Sequence, residues 1–171
     1  RKPWKWPWVG VQVRTRVLAI DRAGNATAAV REAADGPAFR DRITAETGIH
    51  LAIASGADEA RLAAQGVIFG NPRAEGLVAD LGGASMEVCR VSNGRPGPGV
   101  TTPLGPQRLS GPDVQAQIRA MLAPLIPEYR VDGGRLYLVG GAWRALARIH
   151  MIRSAYPLKV LHEFRFGAEE A

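Results

Sequence analysis

Alternating apolar positions at Val9, Val11 and Val13 predict a strand over residues 9–20, broken by the turn-forming run Asp21-Arg-Ala-Gly24-Asn25. A short helix is expected from Ala28 to Ala34 and a second from Pro37, because proline suits a first helical position. The apolar run Ile49 to Ala54 predicts a strand, the spacing from Ala57 to Gly66 a helix, and Leu77 to Leu81 a second buried strand. Met86 to Val91 and Val100 to Pro103 are expected to form a hairpin, with Ser92-Asn93-Gly94 as its turn signal. A helix from Asp113 to Leu125, a strand from Leu136 to Val139 and a helix from Trp143 to Ile152 complete the pattern. Strands alternating with helices argue for an α/β fold, and the hairpin makes its sheet mixed.

Within this pattern, Leu77-Val-Ala-Asp80-Leu-Gly82-Gly83-Ala84-Ser85-Met-Glu87-Val runs a buried strand into a glycine turn flanked by two acids. Glycines let backbone N–H groups approach phosphate oxygens with no Cβ in the way, and the Ser85 hydroxyl adds a donor, so Gly82, Gly83, Ala84 and Ser85 are the candidate phosphate-binding residues. Asp80 and Glu87 offer the hard oxygens that Mg²⁺ takes when it bridges carboxylates and substrate phosphates. The competing explanation is a hairpin closed by glycines with solvated acids beside it. Ala84 fits if its φ stays negative, and costs about 1–2 kcal/mol if the turn is left-handed there.

Upstream, Ala54-Ser55-Gly56-Ala57-Asp58-Glu59-Ala60-Arg61 follows an apolar strand and opens a helix. Ser55 is the expected cap, Asp58 the third-position acid of a capping-box-like start, and Glu59 a first-turn anion favoured by the helix dipole. Position alone leaves open whether Glu59 does more than that.

These segments together resemble the exopolyphosphatase and guanosine pentaphosphate phosphohydrolase (Ppx/GppA) family of the actin-like ATPase superfamily. The likeness runs through Arg31-Glu32-Ala to Gly36-Pro-Ala-Phe39, Ser55-Gly56-x-x-Glu59-Ala60-Arg61, Asp80-x-Gly82-Gly83-Ala84-Ser85-x-Glu87, Pro103-Leu104-Gly105-x-x-Arg108-Leu109, Val139-Gly140-Gly141 to Arg148, and Tyr156-Pro157-Leu158 to His162. Asp58 replaces the first glutamate of the second motif, and Ala84 the third glycine of the loop. The resemblance covers roughly residues 26–166 and implies ribonuclease H-like α/β lobes, incomplete in this chain: residues 1–25 outside the family pattern, 26–75 from the end of a first lobe and 76–171 from the start of a second. The family's first phosphate clamp, an Asp-x-Gly-Ser-Asn type loop, is not placed; Asp21-Arg-Ala-Gly24-Asn25 is similar only superficially.

The resemblance further implies that Glu59 is the general base on the attacking water, that Mg²⁺ sits near Asp80 and Glu87, and that the substrate is polyphosphate or a phosphorylated guanine nucleotide. Phosphoryl transfer, which is mostly positioning and charge neutralisation, agrees with such a set. A serine hydrolase is disfavoured, as Ser85 lacks a Gly-x-Ser-x-Gly elbow and a nearby histidine. Gly140, Gly141 and Arg144 are ligand-side candidates at a helix start after glycines, although Arg144 and Arg148 could equally form a solvated face. Two further options remain at this point: a catalytically silent fragment that binds polyanions or a partner chain, and a superfamily kinase moving phosphate from ATP.

Composition narrows this modestly. The 171 residues, 46% hydrophobic, suffice for an ordinary core, and the net charge of +6 suits an anionic partner. No helix-turn-helix, zinc spacing or aromatic RNA signature points to specific nucleic-acid binding. The one cysteine, Cys89, reads as core filler and excludes an intrachain disulfide framework. The histidines His50, His150 and His162 are too widely spaced for a metal pattern. No run is long enough to span a bilayer, and the start lacks a signal peptide's hydrophobic stretch, so a cytoplasmic setting is expected, with a homodimer a candidate assembly. Trp4, Trp6 and Trp8 among Lys and Pro suit an interfacial or polyanion-binding tail, or sequence foreign to the domain.

Overall fold

The computed structural model describes residues 23–130 and 134–167. The strand expected over 9–20 and the tryptophan-rich start lie outside the described residues. Two sheets organise the rest. In the first, β1 (Ala23–Ala26) pairs in parallel with β2 (His50–Ile53). Between them run α1 (Ala28–Arg31) and α2 (Gly36–Thr47), with Pro37 in the first turn of α2 and Gly48 ending it at φ 69°. The turn expected at Asp21–Asn25 is therefore corrected, since Gly24 and Asn25 belong to β1. Local composition favoured a turn, but pairing with β2 prevails, and Gly24 earns its place by contact: a Cβ there would lie 3.3 Å from Leu51 Cδ1.

The second sheet has the order β5-β4-β3-β6 and is mixed, as expected. Strands β3 (Gly76–Leu81), β4 (Met86–Ser92) and β5 (Arg95–Thr102) form an antiparallel meander, and β6 (Arg135–Val139) joins β3 in parallel. The β4–β5 turn is the two-residue loop Asn93-Gly94, both at positive φ (53° and 68°), whose twist matches the flanking strands. The strand after it begins at Arg95, earlier than the Val100 expected. Pro96 and Pro98 are tolerated because β5 is an edge strand, where a missing N–H costs little. The helix expected over Asp113–Leu125 is α4 (Val114–Leu122) followed by a 3₁₀ turn at Ala123–Leu125 and by α5 (Ile126–Tyr129), because Pro124 and Pro127 remove helical donors. The helix expected from Trp143 starts earlier, as α6 (Gly141–Arg153).

The long helix α3 (Gly56–Gly70) precedes β3 in the chain and lies across β3, β4 and β5. Its start is a complete capping box: Ser55 Oγ accepts from the Asp58 N–H, and the Asp58 carboxylate accepts from the Ser55 N–H. Its inward face is made of small residues. Ala60 and Ala64 close onto Val78, Cys89 and Val91, with Val67, Ile68, Tyr137 and Val139 around them. Cys89 is fully buried in this core, and burial raises its thiol pKa, so it behaves as the apolar filler expected. Beyond α6 the chain folds back, with Phe164 edge-on to Tyr156 (4.9 Å) and Phe166 stacked on His150 (5.3 Å). Among the described residues no helix is long and apolar enough to cross a membrane.

Helix and sheet meet closely at Gly99 of β5, where a Cβ would lie 2.6 Å from Ala60 Cβ and 2.8 Å from the Ala57 carbonyl oxygen. Gly66, by contrast, sits inside α3 with open space around it. Gly99→Ala is therefore expected to destabilise the fold by about 1–3 kcal/mol, while Gly66→Ala stabilises it by about 0.4–1 kcal/mol; urea unfolding of both variants measures the contrast.

Candidate active site

Register sets the acids side by side. Asp80 of β3 is opposite Glu87 of β4, and Glu87 is opposite Thr101 of β5, so the three side chains form one row on the sheet face that α3 covers. Thr101 Oγ1 donates to Glu87 Oε1 at 2.8 Å. Further along the same face the side chains are apolar, namely Val78, Cys89 and Val91. The polar row thus marks the end of the sheet at which α3 begins, and Gly56, the first residue of α3, abuts the Thr101 side chain. No larger residue fits at position 56.

Charge at this end is poorly balanced. Burial, and then the charge of Glu87, hold Asp80 above the usual carboxylate range, while Arg144 pulls it back. Gly140, at φ 113°, caps α6 close enough that a Cβ there would lie 3.0 Å from Asp80 Oδ1. Arg144 follows one turn later, its N–H bonded to the Gly140 carbonyl at 3.3 Å. The structure therefore groups Gly140 with Asp80, and the charge of Arg144 acts on that carboxylate. Glu87 is only 3% exposed, so Asp80 is the acid that solvent reaches.

Glu59 lies in the first turns of α3, beyond the cap. Its Oε1 accepts from Arg31 Nη1, which also donates to the Ala54 carbonyl oxygen at 2.8 Å. The carboxylate is 15% exposed and has a fixed orientation. Arg31 was visible in the sequence as part of a motif, but its partner was not, since nothing in linear spacing pairs residues so far apart.

The loop from Gly82 to Ser85 needs a correction. The Gly82 N–H donates to the Ser85 carbonyl oxygen at 2.9 Å and closes the β3–β4 turn, so it is not free to hold an anion. Among the described residues the N–H groups of Gly83 and Ala84 take no backbone acceptor, and they are the donors left. Ser85 is buried, 5% exposed. Ala84 is not among the residues at positive φ, so the strain that a left-handed turn would impose does not arise. A second turn braces the loop: Gly105 packs on Ala84, the Gln107 N–H donates to the Gly83 carbonyl at 2.9 Å, and a Cβ on Gly83 would lie 2.9 Å from Gln107 Nε2. The sequence offered no sign that Gln107 covers Gly83.

Residues 16–170 match the Ppx/GppA phosphatase family. The chain belongs to that family. It is 36% identical over 87 residues to exopolyphosphatase 1 of Mycobacterium leprae, a stretch covering 50% of this chain and 26% of that protein. Its fold is similar to a crystal structure of an exopolyphosphatase from Cytophaga hutchinsonii, with a TM-score of 0.66 and 24% identity over 78% of this chain and 48% of that one. It is similar also to the Aquifex aeolicus Ppx/GppA family member, with a TM-score of 0.61 and 21% identity over 78% of this chain and 46% of that one. The chain thus spans about half the length of these solved relatives, and at such identities the likeness is one of fold: the mixed α/β architecture of the family.

Whether the family member's acids suit a divalent cation can be judged from their chemistry. Among the described residues no group of three or more His, Cys, Asp and Glu converges. Asp80 beside Glu87 is instead the kind of sparse carboxylate set that suits Mg²⁺, whose other ligands are waters and substrate oxygens. The upward push of Glu87 on Asp80 is the repulsion a cation would relieve.

The same shift has a consequence for stability. Asp80 binds its proton more tightly in the folded than in the unfolded chain, so its ionisation opposes folding, increasingly as pH rises from the unfolded value of 3.8 through the raised folded one. Asp80→Asn is expected to melt a few degrees above the parent at neutral pH, with the gap closing below about pH 4. Thermal melts across pH check this, and a gap independent of pH contradicts it.

Proposed function

We propose that this Ppx/GppA chain is a phosphohydrolase acting on the terminal phosphoanhydride bond of inorganic polyphosphate or of guanosine pentaphosphate, with Glu59 as general base. One observation carries the reading: the helix start that bears Glu59 is seated on Thr101, at the same end of the sheet as Asp80, Glu87 and the Gly83–Ala84 turn. The names of the relatives, two of them exopolyphosphatases, agree with it.

In this mechanism Glu59 orients a water and takes its proton as the water oxygen attacks the terminal phosphorus. The bridging P–O bond breaks, and orthophosphate leaves beside a chain one unit shorter. The transition state is loose, so positioning and charge neutralisation carry most of the rate. The N–H groups of Gly83 and Ala84 and the Arg144 guanidinium would neutralise that charge. Asp80, with Glu87 behind it, would hold Mg²⁺, which when bound neutralises phosphate oxygens. The excess of basic residues, net +6, favours capture of a polyanion, and a cytoplasmic setting fits the single buried thiol.

Phosphate release from long-chain polyphosphate with Mg²⁺, followed by malachite green, tests this. Glu59→Gln, which keeps the shape and removes the base, is expected to lower release by about 10²–10⁴-fold while polyphosphate is still retained on a filter. No release by the parent, with polyphosphate still retained, would instead support a polyanion-binding module. Transfer from ATP to an acceptor would support a kinase.

A further inference from the structure

We infer that Glu32 and Arg108 form a positioning strap that holds the helix start bearing Glu59 in register with the Gly83–Ala84 turn, an inference that rests on the phosphohydrolase reading above. Glu32 closes α1, its N–H bonded to the Ala28 carbonyl at 3.0 Å, and its carboxylate pairs with Arg108. Its neighbour Arg31 pairs with Glu59 and with the Ala54 carbonyl oxygen. Adjacent residues at a helix end cannot shift independently, so whatever fixes Glu32 fixes the guanidinium that orients Glu59.

Arg108 is anchored in the opposite direction. Its N–H donates to the Gly105 carbonyl at 2.9 Å, closing the turn in which Gly105 lies on Ala84 and the Gln107 N–H holds the Gly83 carbonyl. A continuous path therefore runs from Glu59 through Arg31, Glu32 and Arg108 to the turn whose amides face the anion. The remaining ion pairs among the described residues, Arg40–Asp41, Arg42–Glu46 and Arg61–Asp58, join near neighbours in sequence. The two that join distant segments both issue from the dipeptide Arg31-Glu32. With side chains 45% and 40% exposed, the Glu32–Arg108 pair contributes little to global stability, so its effect falls on alignment.

The test uses Glu32→Arg, Arg108→Glu and the double charge swap, read by steady-state polyphosphate hydrolysis with Mg²⁺ and by hydrogen–deuterium exchange. Each single reversal is expected to lower kcat by about tenfold to a hundredfold with KM and melting temperature nearly unchanged, and the swap to restore most of kcat. Exchange is expected to quicken in each single reversal both around residues 55–60 and around 83–107, and to recover in the swap. Should a reversal not fold, Glu32→Gln and Arg108→Gln replace it, with the same expected loss of kcat and the same quickened exchange around residues 55–60 and 83–107. Exchange changes confined to the mutated residues, an unaltered kcat, or a loss the swap does not repair would overturn the strap. A parent that releases no phosphate overturns the hydrolase reading instead, and the exchange data then decide the strap by themselves.

Discussion

The contact between α3 and β5 governs the geometry of this protein. At Gly56 and Gly99 the missing Cβ lets helix and strand close up, Gly56 onto the Thr101 side chain and Gly99 onto Ala60 Cβ and the Ala57 carbonyl oxygen. Close backbone approach of this kind leaves a helix little freedom to roll or slide, because small residues interlock and any shift opens voids or creates clashes. The direction in which Glu59 leaves α3 is set by that seam. So is the covering of Val78, Cys89 and Val91, which forms the core. One packing decision therefore serves both stability and the site.

The same sheet face changes character along its length. Where α3 covers it fully, the row is apolar; where α3 begins, it becomes Asp80, Glu87 and Thr101. The change costs stability, since Glu87 is buried with one oxygen served by Thr101, and burial, then the charge of Glu87, raises the Asp80 pKa. On the proposed phosphohydrolase reading, a bound cation and phosphate would satisfy these carboxylates. Arg144 compensates in part from the start of α6, where Gly140 lets the chain turn close to the carboxylate.

Charge also ties together parts of the chain that packing alone leaves apart. The first sheet reaches the second through the backbone of α3 and through Arg31 and Glu32, whose partners belong to α3 and to the turn after β5. An exposed ion pair is a weak fastener in free-energy terms, yet it is directional, and direction is what phosphoryl transfer asks of its surroundings. On the proposed reading, the two amides and the fixed carboxylate act efficiently only if they hold one relative position.

Much of this was legible in the order of residues. The α/β class, the mixed sheet, the Asn93-Gly94 turn, the Ser55–Asp58 cap and the burial of Cys89 follow from short-range periodicity, turn chemistry and hydrophobicity, which act within a few residues. The strand through Gly24 and Asn25 and the early start of β5 did not follow, because in both places a neighbouring strand overrules local preference. Motifs singled out Glu59, Asp80, Glu87 and the glycine loop. Only the fold showed that Gly82 uses its N–H to close the turn, that Thr101 serves Glu87, and that Arg31 and Glu32 find Glu59 and Arg108. The physical reason is the same throughout: local propensities are written in adjacent residues, whereas hydrogen bonds and ion pairs between distant segments exist only after α3 has settled on the sheet and brought their ends together.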